Sequence, residues 1–72
     1  MARNARELLA EVERDIAQGE IAIARQRIVI SRLREAGAST VQAEALLVAL
    51  EGNVASFREA RASLADLAKD IP

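Results

Sequence analysis

Two long stripes of apolar residues, separated by one short turn, constrain this chain more than any other feature. Within each stripe the residues recur at alternating spacings of three and four, which places them on one face of an α-helix. The first stripe consists of Leu9, Val12, Ile16, Gly19, Ile23, Gln26, Ile30 and Leu33. The second consists of Leu47, Leu50, Val54, Phe57, Arg61, Leu64, Ala68 and Ile71, widened by Leu46, Ala60 and Leu67. The pattern predicts two helices, each with one buried face.

Capping residues predict where these helices begin and end. Asn4 with Glu7 three residues later is typical of a helix start, and Gly37 can take the left-handed conformation that ends a helix. Ser39 followed by Gln42 has the capping-box spacing again, so we expect Ser39 to cap the second helix. Because only Ala38 separates the glycine from this cap, the second helix must turn straight back on the first.

We therefore predict an all-α fold: a two-helix antiparallel hairpin with helices at about 5–36 and 40–70, in a single domain, 1–72. The one aromatic residue, Phe57, is too little for an ordinary β-sheet core. A chain of 72 residues buries little surface on folding, so a partner is expected.

The short turn also predicts which residues face each other. Counting outward from it places Gly19 opposite Phe57, which we interpret as a match of a small residue with the bulkiest one. The same count brings the amide of Gln26 within reach of Asn53, as a device that fixes register. It also predicts three ion pairs at the rim: Glu44 with Arg32, Glu51 with Arg25, and Arg61 with Asp15.

A second apolar patch lies on the first helix, off its main stripe. It consists of Ala17, Ile21, Ala24 and Ile28, spaced four, three and four apart. Contiguous exposed apolar residues usually mark an interface, so we expect this patch to join two copies into a homodimeric four-helix bundle. The second helix carries a weaker patch that is an alternative interface: Val41, Ala45, Val48, Gly52 and Ala55.

Charge predicts how two such helices would cross. The first helix is acidic early and basic late, so an antiparallel crossing brings unlike charges together. The expected contacts between copies are Glu20 with Arg25, Glu13 with Arg32, and Glu11 with Arg34.

Composition argues against catalysis. The chain has no cysteine and no histidine, so thiolate chemistry and the commonest general base and metal ligand are missing. Glu7, Glu11 and Asp15 share a helical face, but without histidine we interpret them as a solvated surface. No glycine-rich phosphate loop occurs either. We expect no enzyme activity, no cofactor and no metal site.

Charge and hydropathy bear on partners and location. The net charge of −1 gives no global attraction to nucleic acid, and no charge-free stretch approaches the length of a membrane span. We expect a soluble cytoplasmic protein that associates with itself. The alternative is a nucleic-acid-binding dimer that uses the basic cluster of the first helix, Arg25, Arg27, Arg32 and Arg34.

One segment carries a resemblance to a known family. Gly19 to Arg27 reads G-E-I-A-I-A-R-Q-R, and with Leu33 to Gly37 and Leu46-Leu47 it resembles a family of short bacterial proteins of unknown function. This family often has a histidine-arginine pair where this chain has Phe57-Arg58. The resemblance implies a helical hairpin and no mechanism. In architecture the chain is also similar to the plasmid Rop protein, a dimeric hairpin that binds paired RNA loops, which is a likeness of fold alone.

Overall fold

The hairpin predicted from the sequence is the fold of the protein. The structure, a computed structural model, describes residues 3–69 and contains two antiparallel helices, α1 (Ala5–Glu35) and α2 (Val41–Lys69). No strand occurs within these residues. The molecule measures 57 × 20 × 14 Å, so it is one layer of helices thick. Ile71 and the predicted end of the second helix at residue 70 lie outside the described residues.

The ends of α1 follow the capping chemistry. The side chain of Asn4 accepts a hydrogen bond of 2.9 Å from the backbone N–H of Glu7, as predicted. At the other end Gly37 has a φ of 71°, in the left-handed region. The N–H groups of Gly37 and Ala38 donate to the carbonyls of Arg34 and Leu33, which forms a Schellman motif. The turn therefore satisfies carbonyls that α1 itself leaves unpaired.

α2 starts within one residue of the expected position, but its cap residue is not the predicted Ser39. The helix begins at Val41, and the carbonyl of Thr40 accepts its first internal bond, from the N–H of Glu44 at 2.8 Å. Thr40 thus occupies the cap position. The hydroxyl of Ser39 instead accepts from the N–H of Val41 at 3.4 Å, a local turn that keeps Ser39 outside the helix.

The core is small and lies along the seam between the helices. Ile16, Ile30 and Val54 are buried, and the other seam residues of α1 are partly buried. On α2, three residues that we assigned to the seam are exposed: Leu46, Arg61 and Leu67. A helix packed against a single neighbour buries only a narrow stripe, so the wider stripe of α2 extends into solvent.

Gly19 faces Val54, and the predicted contact with Phe57 was wrong. A Cβ atom built on Gly19 would collide with Cγ2 of Val54, whereas no atom of Phe57 lies within 4 Å of it. Counting from the turn gives the level of a residue only to within one helical turn, because side chains pack into spaces between residues of the facing helix. The small-to-large match therefore exists, with Val54 as the large partner.

Substituting alanine at two glycines tests this contact. Gly19→Ala should lower the free energy of unfolding by about 1 to 3 kcal/mol, since Val54 is 2% exposed and β-branched and cannot move aside. Gly52→Ala is the matched control: nothing lies within 4 Å of its added Cβ, so better helix propensity should stabilise the protein by about 0.5 to 1 kcal/mol. Urea denaturation measures both. Equal stabilisation by the two substitutions would contradict the contact.

Candidate functional site

The functional surfaces of a two-helix hairpin are its two broad faces and the outer sides of its helices. One broad face, here called the ladder face, carries three ion pairs between α1 and α2. The opposite broad face is called the open face. The outer patch is the predicted interface on α1, namely Ala17, Ile21, Ala24 and Ile28.

The ladder face repeats with the helical heptad. Its ion pairs join Glu20 to Arg58 at 2.7 Å, Arg27 to Glu51 at 3.4 Å, and Arg34 to Glu44 at 2.6 Å. Successive members are seven residues apart on both helices, so all three pairs lie on the same side of the hairpin. The side chains are about half exposed, which makes each pair weak. The ladder therefore helps to set the register of the helices and adds little stability.

The predicted rim pairs named the right glutamates and the wrong arginines. Glu44 and Glu51 do pair with α1, but with Arg34 and Arg27 instead of Arg32 and Arg25. At 100° per residue, Arg25 lies 200° around α1 from Ile23 of the seam, on the side away from α2. Counting residues from the turn predicted the position of each arginine along the helix axis. It did not take into account the direction in which the side chain points around that axis.

The third predicted rim pair is absent, and the ladder has a different third pair. Arg61 and Asp15 are not among the ion pairs of residues 3–69, and both are exposed. The pair of Glu20 with Arg58 was missed. The heptad spacing of Glu20, Arg27 and Arg34, matched by Glu44, Glu51 and Arg58, was the signal that could have predicted it.

The predicted amide pair was also wrong. Gln26 donates from Nε2 to the backbone carbonyl of Ala43 at 2.8 Å, and Asn53 is exposed. Asn53 lies ten residues from Ala43, about 15 Å along α2, which is beyond the reach of this side chain. A partly buried amide needs one polar partner, and a nearby carbonyl satisfies it as well as a side chain does. The bond still ties one level of α1 to the first turn of α2.

The outer patch is exposed, as an interface between copies requires. Ile21 and Ile28 are 53% and 52% exposed, and Ala17 and Ala24 are exposed as well. The patch lies on the far side of α1 from α2. Two of the three ion pairs predicted between copies use residues that already have a partner within the chain. Glu20 pairs with Arg58, and Arg34 pairs with Glu44. An antiparallel crossing on this patch would have to exchange these ion pairs.

The arginine cluster is divided by the fold. Arg27 and Arg34 are held by glutamates of the ladder face, while Arg25 and Arg32 make no ion pair with the described residues and point away from α2. Two unpaired arginines on one helix are a weaker phosphate-binding surface than four.

Other kinds of site are sparse over residues 3–69. No group of three acidic, cysteine or histidine residues there could hold a metal ion, and Glu11 pairs with Arg3. Neither helix has an apolar stretch long enough to cross a lipid bilayer. A shallow cleft of about 360 Å³ lies on the open-face side of the seam, lined by Asp15, Gln18, Asn53 and Phe57 among others.

The ladder can be tested by reversing charges. Arg27→Glu should lower the free energy of unfolding by up to about 1 kcal/mol at low salt, because it places two carboxylates together. Adding Glu51→Arg should restore most of the loss by re-forming the pair in reverse. Arg25→Glu is the control, since Arg25 has no partner among the described residues. An additive double-mutant cycle for residues 27 and 51 would show that this pair does not couple.

Comparison with family models found no match, and comparisons with curated proteins and with solved structures also found none. The resemblance of the Gly19 to Arg27 segment to short bacterial proteins therefore stays a prediction.

Proposed function

We propose that this protein is a non-enzymatic interaction module that works by self-association, as a homodimer that forms a coiled-coil four-helix bundle. The observation that carries the proposal is the area that the hairpin leaves exposed. Its accessible surface is 5413 Å², whereas a compact monomer of 7.8 kDa exposes about 4,400 Å². Seven large apolar side chains are among the exposed ones. A second layer of helices is what this hairpin lacks.

One broad face of the hairpin is large enough to bind a second protein chain. Each partner buries about 800 Å² in a standard protein interface, and the molecule measures 57 × 20 Å across such a face. A small ligand would cover much less than this, and the clefts of the described residues are shallow and open. As part of the same proposal we place this module in the cytoplasm, where a fold without disulfide bonds is the rule.

Self-association makes stability depend on concentration. We expect the melting temperature to rise as the protein concentration is raised from about 1 to 100 μM, because association stabilises only the folded chain. Sedimentation equilibrium over the same range should give a mass near twice 7.8 kDa. A concentration-independent transition together with a monomeric mass would overturn the proposal.

A nucleic-acid-binding dimer is the function that the divided arginine cluster argues against. We expect no mobility shift with mixed RNA or DNA duplexes even at low salt, where phosphate contacts are strongest. Arg25→Glu with Arg32→Glu is the matched variant, since these two arginines have no ion pair within the described residues. A shift of the wild type that this variant abolishes would support nucleic-acid binding.

A further inference from the structure

The two broad faces of the hairpin differ in what they offer to a partner. On the ladder face, charged side chains bridge the helices over about half of their length, at residues 20–34 of α1 and 44–58 of α2. The open face has no ion pair between α1 and α2 among the described residues and carries partly or largely exposed apolar side chains from both helices. They are Val29, Leu33, Leu46, Phe57, Leu64 and Leu67.

Helical geometry places these residues on one face. At 100° per residue, Leu33 and Leu64 lie about 80° from the seam centre of their helices, on the flank opposite the ladder. Val29 and Leu46 lie on the same flank and at the same level of the hairpin, 45% and 50% exposed. Gln18, Gly19, Asn53 and Phe57 line a cleft on this flank. The open face is thus a continuation of the core seam into solvent.

We propose that the open face binds the open face of a second copy of this chain, with the two loops at opposite ends of the bundle. This inference rests on the proposed self-association and names the surface that carries it. It assigns the interface to residues of both helices, whereas the interface predicted from the sequence uses α1 alone.

The area that a stable dimer needs shows which face of the hairpin fits. About 800 Å² per partner is most of one broad face of a molecule that measures 57 × 20 Å across that face, so the contact has to run along most of its length. The open face runs along both helices and can supply such a contact. The apolar residues of the outer patch span only residues 17–28 on one side of one helix, about 17 Å, so the rest of a contact made there would be formed by charged residues.

The ladder face is unfavourable as an interface for an electrostatic reason. Covering it would remove six charged side chains from water, and their mutual attraction seldom repays that cost. Covering the open face removes mainly aliphatic and aromatic surface, together with the carboxylate of Asp15, which lines the cleft there. Asn53 and Gln18 lie near the middle of the bundle, where their amides can pair between copies and specify the alignment.

Charge along α1 favours loops at opposite ends. Leaving out Glu20, Arg27 and Arg34, which are paired on the ladder face, residues 7–19 contain four acidic residues and one arginine, and residues 21–35 contain two arginines and one glutamate. When the loops lie at opposite ends, α1 of one copy runs antiparallel over α1 of the other, so the acidic half meets the basic half. Such long-range attraction selects an orientation even where individual pairs are weak.

Three double substitutions with the same change of charge separate the surfaces. Val29→Glu with Leu46→Glu alters the open face, Ile21→Glu with Ile28→Glu alters the outer patch, and Val41→Glu with Val48→Glu alters the outer side of α2. All six side chains are 45% exposed or more, so the hairpin itself tolerates the glutamates. Circular dichroism checks that each variant is helical, and sedimentation equilibrium measures the dimer dissociation constant.

We expect the open-face variant to raise the dissociation constant about 100-fold or more, because two glutamates must lose water in the interface, and the other two variants to change it less than about threefold. Dissociation by the outer-patch variant alone would overturn the open-face assignment and leave self-association intact. A wild type that is monomeric throughout would overturn both proposals.

Cross-linking gives a second measurement that leaves the apolar residues unchanged. The chain has no cysteine, so Asn53→Cys introduces a single thiol two residues from the midpoint of α2. With loops at opposite ends, residue 53 of one copy lies beside residue 53 of the other, and a short bis-maleimide should link most of the dimer. Val48→Cys, on the outer side of α2 and 69% exposed, is the control. Equal linking of the two variants, or linking of Val48→Cys alone, would overturn the arrangement.

Discussion

The fold depends on one constraint, the seam along which α1 meets α2. All long-range packing of residues 3–69 runs across it, because this part of the chain contains only the two helices. At Gly19 the side chain of Val54 occupies the space that a Cβ would need, so the absence of this one Cβ lets the helices come together there. The Schellman turn at Gly37 holds the two helices at one end of the seam, and the ion pairs of the ladder face align one of its flanks.

The features that could be predicted from the sequence are those that depend only on residues close together in the chain. The helices and the turn depend on periodicity and capping within a few residues, so both helices and the left-handed Gly37 were predictable. Contacts across the seam depend on level and rotation together. Level follows from counting residues from the turn, whereas rotation depends on how the two helices pack. Arg25 and Arg32 show the difference, since they lie at the predicted level but on the wrong side of α1.

Polar partners were harder to predict than apolar ones. The amide of Gln26 could donate to any acceptor on the facing helix. A sequence indicates which polar side chains are present, but it does not indicate which backbone carbonyl will be within reach. The same limit applies to interfaces. The outer patch was visible as a periodic group of four residues on one helix, whereas the open face is assembled from α1 and α2 and emerges only when both rotations are known.

The two broad faces of the hairpin differ in their charge and in their exposed apolar surface, and the difference has a physical explanation. A hairpin that functioned as a monomer would gain by placing charged residues along both flanks of its seam, since charge beside a narrow core keeps it soluble. Here the bridging charges lie on one flank only, and the other flank carries Leu33, Phe57 and Leu64 at partial exposure. Partly exposed side chains of this size would each gain about 1 kcal/mol from complete burial. In the proposed dimer the ladder face is therefore the solvent side of the layer, and the open face is the side that the second copy covers.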